Sequence, residues 1–379
     1  MAEIHLITPE YPPQPGGVAA YTRVVGHALA EAGEHVHVWT PGSSTAVLDG
    51  ALQIHPVMGA FHSRDLARAG RFLDAYSAPR RLLVQWVPHG FGFHSMNITF
   101  CMWLWRRAAA GDRVEVMVHE PYLALWEGTW RQTLAAIVHR VMTMILLRAA
   151  SEVWLSIPAW EPMWKPYTLG RSVPFRWLPI PTSVRRPGQN RVAELRQTYT
   201  TGSQLLVGHL GTYGPLVATM LLEILPGVLR HPGRPALVLI GAGSEAFGRA
   251  LRQRHPEHAA SIHATGTVSD EALAEHITAC DLLVQPYPDG ISARRTSAMS
   301  GLFLGTPVVS TKGRLTEILW EESAAVRLAA VGDRDAFLRA VDAVLSSSEL
   351  RRQLRERGQI LYDEMFDLRL TVAALRKAA

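Results

Sequence analysis

Short apolar runs alternate with helix-competent segments twice along the chain. A polar, proline-punctuated stretch at 179–189 (PIPTSVRRPGQ) separates the two series. This alternation limits the possible folds more than any other feature, because strand–helix–strand units require a parallel sheet with right-handed crossovers. In the first series, EIHLIT (3–8) enters a Pro- and Gly-rich loop. A helix over 18–32 then places Tyr21, Val25, Leu29 and Ala32 on one stripe, and Gly33 ends it. Residues 35–39, 81–86, 113–119 and 153–157 read as further strands. The second series has strands at 205–210, 236–240, 262–265, 281–285 and 307–310, and helices over 217–229, 270–279, 292–304 and 333–346. From 350 the tail reads as helix, with a break near Phe366-Asp367. The expectation is an α/β chain of two Rossmann-like, doubly wound parallel-sheet domains, 1–182 and 190–360, followed by a helix at 361–379. Open α/β sheets bind ligands beyond the carboxyl ends of their strands, so a cleft between two such ends is the expected site.

Bulk properties narrow the partners. The formal net charge is +5 and no block of Lys/Arg occurs. That argues against nucleic acid and suits anionic ligands or peripheral contact with an acidic membrane face. Cys101 and Cys280 lie in separate apolar settings, as buried thiols of a reduced cytoplasmic protein would. The N-terminus has no basic leader or long apolar stretch and reads as a first strand. The most membrane-like segment, 133–150, carries His139, Arg140 and Arg148 and is too short between charges to span. Eight of the eleven tryptophans fall between Trp103 and Trp177. They would pack as a core, line an apolar acceptor cleft, or face a membrane.

Several loops carry candidate chemistry. In 282–313 (LLVQPYPDGISARRTSAMSGLFLGTPVVSTKG), a strand and a turn lead into the helix at 292–304, which Gly305 and Pro307 end. Arg294 and Arg295 fall in its first turn, where the helix dipole already repels cations. An anion site, most plausibly for phosphate, would explain them; two solvated surface arginines are the plain alternative. Gly16-Gly17 opens the first helix and would let a ligand approach free N–H groups closely, or would simply make a tight turn. His119 ends a strand at the expected cleft edge, where a neutral imidazole could bond a hydroxyl or act as acid or base. His89 and His94 are lesser candidates. Gly266-Thr267-Val268-Ser269 joins a strand to a helix capped by Ser269 or Asp270. The chain has no GxGxxG, Walker A or HExxH sequence and no Cys/His cluster, so no metal or dinucleotide cofactor is expected.

In order and content these pieces resemble the family 4 glycosyltransferases, over nearly the full length. The resemblance rests on PEYPPQPGGVAAYTRVVGHALAEAGEHVHVWTP, on LLVGHLGTYG, and on SIHATGTVSDEALAEHITACDLLVQPYPDG leading to GTPVVSTKG. It implies the GT-B architecture of two Rossmann-like domains facing across a cleft, with 361–379 crossing back to the N-terminal domain. It also implies metal-independent transfer, with retention, of a sugar from a nucleotide-sugar. Gly16 and Gly17 would then face the donor phosphates, with His119 near the transferred sugar. Thr267 and Val268 would meet the base. Gly211, Thr212, Asp289, Gly290, Ser292 and Ser297 would complete the donor side.

Two departures stand out. The family's two glutamates, eight residues apart, correspond to Ser292 and Ser300, and its Arg/Lys pair after the glycine loop is missing from GTYGPLVATM. Arg294 and Arg295 would replace that charge, since such a transfer needs its leaving group stabilised more than it needs a strong base. The leading reading is a cytoplasmic glycosyltransferase, working at the inner membrane surface if the basic balance reports lipid. Its acceptor is an unidentified glycan, lipid-linked molecule or small molecule. The competing reading is a silent GT-B scaffold that binds nucleotide or a partner. A GT-B phosphorylase would need a cofactor-bearing lysine, and internal lysines are few.

Overall fold

The computed structural model describes residues 3–14, 16–126 and 128–377, and the chain divides into two compact units. The first comprises 1–180 with 368–379, and the second 181–367. The first contains β1 (Glu3–Ile7), α1 (Gly17–Glu31), β2 (His35–Trp39), β3 (Val47–Asp49), β4 (Leu52–His55), α2 (Ser63–Leu73), β5 (Arg81–Trp86), α3 (Ile98–Ala109), β6 (Arg113–Val118), α4 (Trp130–Ala149), β7 (Ala150–Leu155), the single turn α5 (Glu161–Trp164) and β8 (Phe175–Trp177). Among the described residues these strands form one sheet in the order β3-β4-β2-β1-β5-β6-β7-β8, parallel except where β3 meets β4. The second unit contains α6 (Gln189–Tyr199), β9 (Leu206–Leu210), α7 (Pro215–Leu229), β10 (Ala236–Ile240), α8 (Ser244–Arg254), β11 (Ile262–Ala264), α9 (Asp270–Ala279), β12 (Leu282–Gln285), α10 (Thr296–Leu304), β13 (Val308–Lys312), α11 (Leu319–Glu322), β14 (Arg327–Ala330), α12 (Arg334–Ser346) and α13 (Ser348–Met365). Its sheet is fully parallel, in the order β11-β10-β9-β12-β13-β14.

The central strands are mostly apolar because helices cover both sheet faces, and the few polar residues they bury include His5, Gln85, Glu115, His209 and Gln285. Every residue of ALVLI in β10 is buried. Val207, Leu237, Leu282, Val284 and Val309 pack with Leu221, Leu225, Phe337 and Val341 of the flanking helices. In the first unit Leu6, Val36, Val38 and Leu83 pack with Val25 and Leu29 of α1.

The tail bends where the sequence breaks: α13 ends at Met365 and α14 (Leu368–Lys377) follows. Only α14 groups with the first unit, so 361–367 remains with the second. Val372 and Leu375 of α14 enter the first core, and Arg376 donates to Glu34 Oε1 at 2.8 Å. Burying two such side chains stabilises the unit by roughly 1.5–3 kcal/mol each. The helix expected at 133–150 is α4, and among the described residues no helix is long and apolar enough to cross a membrane.

Candidate functional site

In the second unit the loops after β9, β11, β12 and β13 leave the carboxyl edge of the parallel sheet. Three of these, the loops after β9, β11 and β12, were expected from the sequence, and the loop after β13 joins them. After β12 the chain passes Asp289-Gly290 and turns at 292–295, where Arg295 N–H donates to Ser292 O at 3.0 Å. Helix α10 starts only at Thr296, with Arg295 as its N-cap residue. The arginines thus precede the helix instead of occupying its first turn. The Glu317 carboxylate explains this, since it accepts the Ala293 N–H at 3.0 Å and holds the segment as a turn. A helix begun at 292 would also place two cations among free N–H groups.

Three guanidinium groups surround two carboxylates here. Arg314 lies 2.7 Å from Asp289 Oδ1, and Arg295 lies 4.0 Å from Asp289 Oδ2. The Arg295 guanidinium rests over the Tyr287 ring, 4.6 Å from its centre, and the Tyr287 hydroxyl is 2.7 Å from Ser297 Oγ. Arg294 acts electrostatically on Glu317, which Trp320 Nε1–H also contacts at 2.8 Å. Burial pushes the Glu317 carboxyl above the usual carboxylate range, against the pull of these partners. The cluster keeps a net positive charge while Glu317 is ionised. Gly290 is required sterically: at φ +85, an added Cβ would lie 2.2 Å from Gly313 N, so two loops cross backbone to backbone.

The expected glutamate positions differ from each other. Ser300 is bonded to Thr182 Oγ1 at 2.7 Å and to Thr296 O at 2.9 Å. Ser292 is fully buried, and its hydroxyl has no partner among the described residues.

The glycine loop after β9 contains a residue that motif reading passed over. His209 donates Nδ1–H to Val284 O at 2.8 Å. Its Nε2 is therefore a bare acceptor, 1% exposed at residue level and unpartnered among the described residues. Burial lowers its pKa to about 4. Nε2 points at the Gly211 loop, where a Cβ on Gly211 would come within 3.0 Å of it. Tyr213 packs against the ring and donates its hydroxyl to His209 O at 3.2 Å. Thr212 is exposed on this loop. Thr267 is exposed and Val268 half-buried between β11 and α9, with Ser269 capping α9 through Ala272 N–H.

In the first unit, Gly16 is the N-cap residue of α1 and Gly17 its first residue. The amides of Val18 and Ala19 both donate to Glu10 Oε1 at 3.0 Å, so the chain's own carboxylate occupies the anion position expected for a phosphate. His119 follows β6, is buried, and donates Nε2–H to Gln85 Oε1 at 2.8 Å. Tyr21 of α1 meets the His119 ring edge-on at 4.8 Å, which joins the start of α1 to the end of β6. Desolvation lowers the His119 pKa to about 3, so the ring is neutral near pH 7 and suits hydrogen bonding better than proton transfer. His89 pairs with Glu120 at 3.4 Å on the surface, and His94 is exposed at φ 50. Among the described residues no three His, Cys, Asp or Glu side chains group as metal ligands. Cys101 and Cys280 are buried and free.

Glu10, His209, Arg314 and Glu317 are the polar residues that sequence reasoning missed. Glu10 and His209 lay within quoted motifs. Arg314 and Glu317 follow GTPVVSTKG and had no signal of their own.

These features match a known class. Residues 205–347 match the family model described as glycosyl transferases group 1. Sucrose-phosphate synthase from Thermosynechococcus elongatus superposes with TM-score 0.74 at 17% identity, covering 100% of this chain and 98% of that one. Anabaena HepE in complex with UDP and glucose gives 0.70 at 15%, covering 99% and 98%. WaaG, a glycosyltransferase involved in lipopolysaccharide biosynthesis, gives 0.68 at 16%, covering 99% of each chain. No curated protein matches the sequence. The chain has the GT-B fold, and the match to the group 1 glycosyl transferase model lies within its second unit. The resemblance read from the sequence is borne out for the fold and for the family match over 205–347.

Proposed function

We propose that the protein is a retaining glycosyltransferase. Its donor would be a nucleoside-diphosphate sugar held at the carboxyl edge of the second sheet, and the first unit would take the acceptor. One observation carries the reading: Arg294, Arg295 and Arg314 exceed the charge of Asp289 and Glu317 at that edge. A departing diphosphate is the anion that such forks stabilise best, because its charge rises as the glycosidic bond breaks. HepE, with the same fold, was solved with UDP and with UDP-glucose, which supports this donor class. With guanidinium groups supplying the charge, the reading needs no metal and no cofactor. His119 would act as a neutral hydrogen-bonding group toward the sugar. The acceptor would be a glycan, a lipid-linked molecule or a small molecule.

Glu317 would partly replace the missing family glutamate, because it reaches the backbone beside Ser292. Ser300 favours the second reading, a catalytically silent nucleotide-binding scaffold, since its hydroxyl is already used within the fold. A panel of nucleotide-sugars in thermal-shift and donor-hydrolysis assays separates the two. The matching donor at a hundred times its Kd should stabilise the fold by about 2.7 kcal/mol and be turned over. Binding without turnover identifies the scaffold, and no stabilisation by any nucleotide-sugar refutes both readings.

A further inference from the structure

Helix α4 departs from the rule that a helix on a sheet turns a polar face to solvent. It buries Ala135, Ala136, His139, Met142, Leu146 and Leu147. On its outer side Trp130, Leu134 and Ile137 follow at i, i+4 and i+7, with exposures of 72, 45 and 46%. In the preceding loop Trp126 is 79% exposed at φ 65, a backbone conformation that costs a non-glycine residue energy. The neighbouring α3 packs against α4 and repeats the pattern with Ile98 and Trp105, 38 and 44% exposed.

The charges on these two helices have one sign. Neither α3 nor α4 contains Asp or Glu, whereas they carry Arg106, Arg107, Arg131, Arg140 and Arg148. Arg107 is spent on Asp74 and Asp112. Each exposed helical tryptophan is followed by an exposed arginine, Trp105 by Arg106 and Trp130 by Arg131, and Arg131 lies 5.4 Å from the centre of the Trp130 ring. Arg140 rests on Tyr122 at 4.4 Å and donates to Leu123 O and Ala136 O, which leaves its aliphatic stem along the helix.

We propose that the face formed by Trp126, Trp130, Leu134 and Ile137, with Trp105, is a docking surface for a lipid bilayer containing anionic headgroups. Indole rings favour the boundary between headgroups and acyl chains, aliphatic residues insert beside them, and arginines reach back to phosphate. The helix lies in the plane of the surface and does not cross it, in keeping with the absence of a spanning helix among the described residues. Charge complementarity selects this occupant over a second copy of the chain. A symmetric contact would press the basic, carboxylate-free helices α3 and α4 of two copies together.

The test uses the full-length protein without nucleotide, so its outcome does not depend on the transferase reading. Sedimentation is compared for vesicles of phosphatidylcholine with phosphatidylglycerol and of phosphatidylcholine alone. The protein should follow the anionic vesicles, release with added salt, and shift its tryptophan emission to the blue on binding. Trp126→Ala with Trp130→Ala should weaken binding by about tenfold or more at an unchanged melting temperature, since neither ring is packed. Arg131→Glu should weaken it while keeping both rings. Absence of binding to anionic vesicles, or equal binding by all three proteins, overturns the proposal. So does a solution dimer that dissociates in the tryptophan variant, which would give the face to a second copy.

Discussion

The carboxyl edges of the two sheets are built alike and finished differently. In the first unit the start of α1 is closed by the chain itself, with Glu10 accepting from Val18 and Ala19. His119 is likewise tied to Gln85 and Tyr21. In the second unit the edge keeps a surplus of cations, while buried polar atoms without a partner among the described residues occur at both edges, Tyr21 Oη and Gln85 Nε2 at the first and His209 Nε2 and Ser292 Oγ at the second. A buried polar atom without a partner costs about 1–3 kcal/mol, so it is tolerated where something else completes it. The contrast in charge teaches where an anionic ligand gains most, which is the second edge.

The largest effect should come from removing that surplus. Arg294→Ala with Arg295→Ala should weaken nucleotide binding by about a hundredfold, as loss of two charge-assisted contacts implies. Unchanged affinity by calorimetry would make these arginines structural and collapse the contrast. Next, Gly290→Ala should lower stability by about 2–3 kcal/mol in chemical denaturation, because its Cβ meets the Gly313 backbone. A wild-type midpoint would show that the loops can separate freely.

The first unit should be the more acid-sensitive of the two. Burial lowers the pKa of His5 to about 3 and of His55 to about 4, and lowers that of His37 as well. The three rings adjoin one another and Tyr76, with Arg80 and Arg107 acting on His5, and Glu3 and His35 on His37. Near pH 6.5 and below, the unfolded chain takes up protons that the folded cluster refuses. Stability is therefore full above about pH 6.5 and is lost as pH falls from there toward about 4. The slope approaches about 1 kcal/mol per pH unit for each histidine. His55→Phe should flatten the dependence of Tm on pH, and a wild-type Tm that stays level over this range contradicts the account.

His209→Phe should raise the donor KM by about tenfold, while His209→Gln, which restores an acceptor, should recover part of it. If the two variants behave alike, the ring serves packing only. The smallest effect is expected at Glu10. Glu10→Gln should cost about 1 kcal/mol of stability in chemical denaturation, by putting a neutral acceptor where a carboxylate meets the α1 amides. An unchanged denaturation midpoint would show that the Glu10 charge adds nothing to the start of α1.

Much of this fold could be read from the chain. Runs such as ALVLI, and LLV within RLLVQW, stand out because a strand covered on both faces is mostly apolar. The edge strands β3, β8 and β14, and β4 beside β3, were missed because they are short and partly exposed, and α6 because it begins in the polar stretch read as a linker. At the site, Arg294 and Arg295 were visible as an anomaly of charge. Their companions were not, since Arg314 meets Asp289 across 25 residues and Glu317 meets Ala293 across 24. The tryptophans divide in the same way. Their clustering is a fact of sequence, but that Trp154, Trp160 and Trp164 are buried while Trp105, Trp126 and Trp130 are exposed depends on the faces their elements turn inward.

The sequence by itself determined the two parallel-sheet units, the breaks at Gly305 and Phe366, the class resemblance and the arginine pair. Periodicity, helix-ending residues and charge are local properties that each segment carries with it. Only the tertiary structure decided that Glu10 closes one edge, that His209 leaves a bare acceptor at the other, and that α4 turns apolar residues outward. Hydrogen-bond partnership and exposure belong to pairs and surfaces, which exist only once distant segments are packed together.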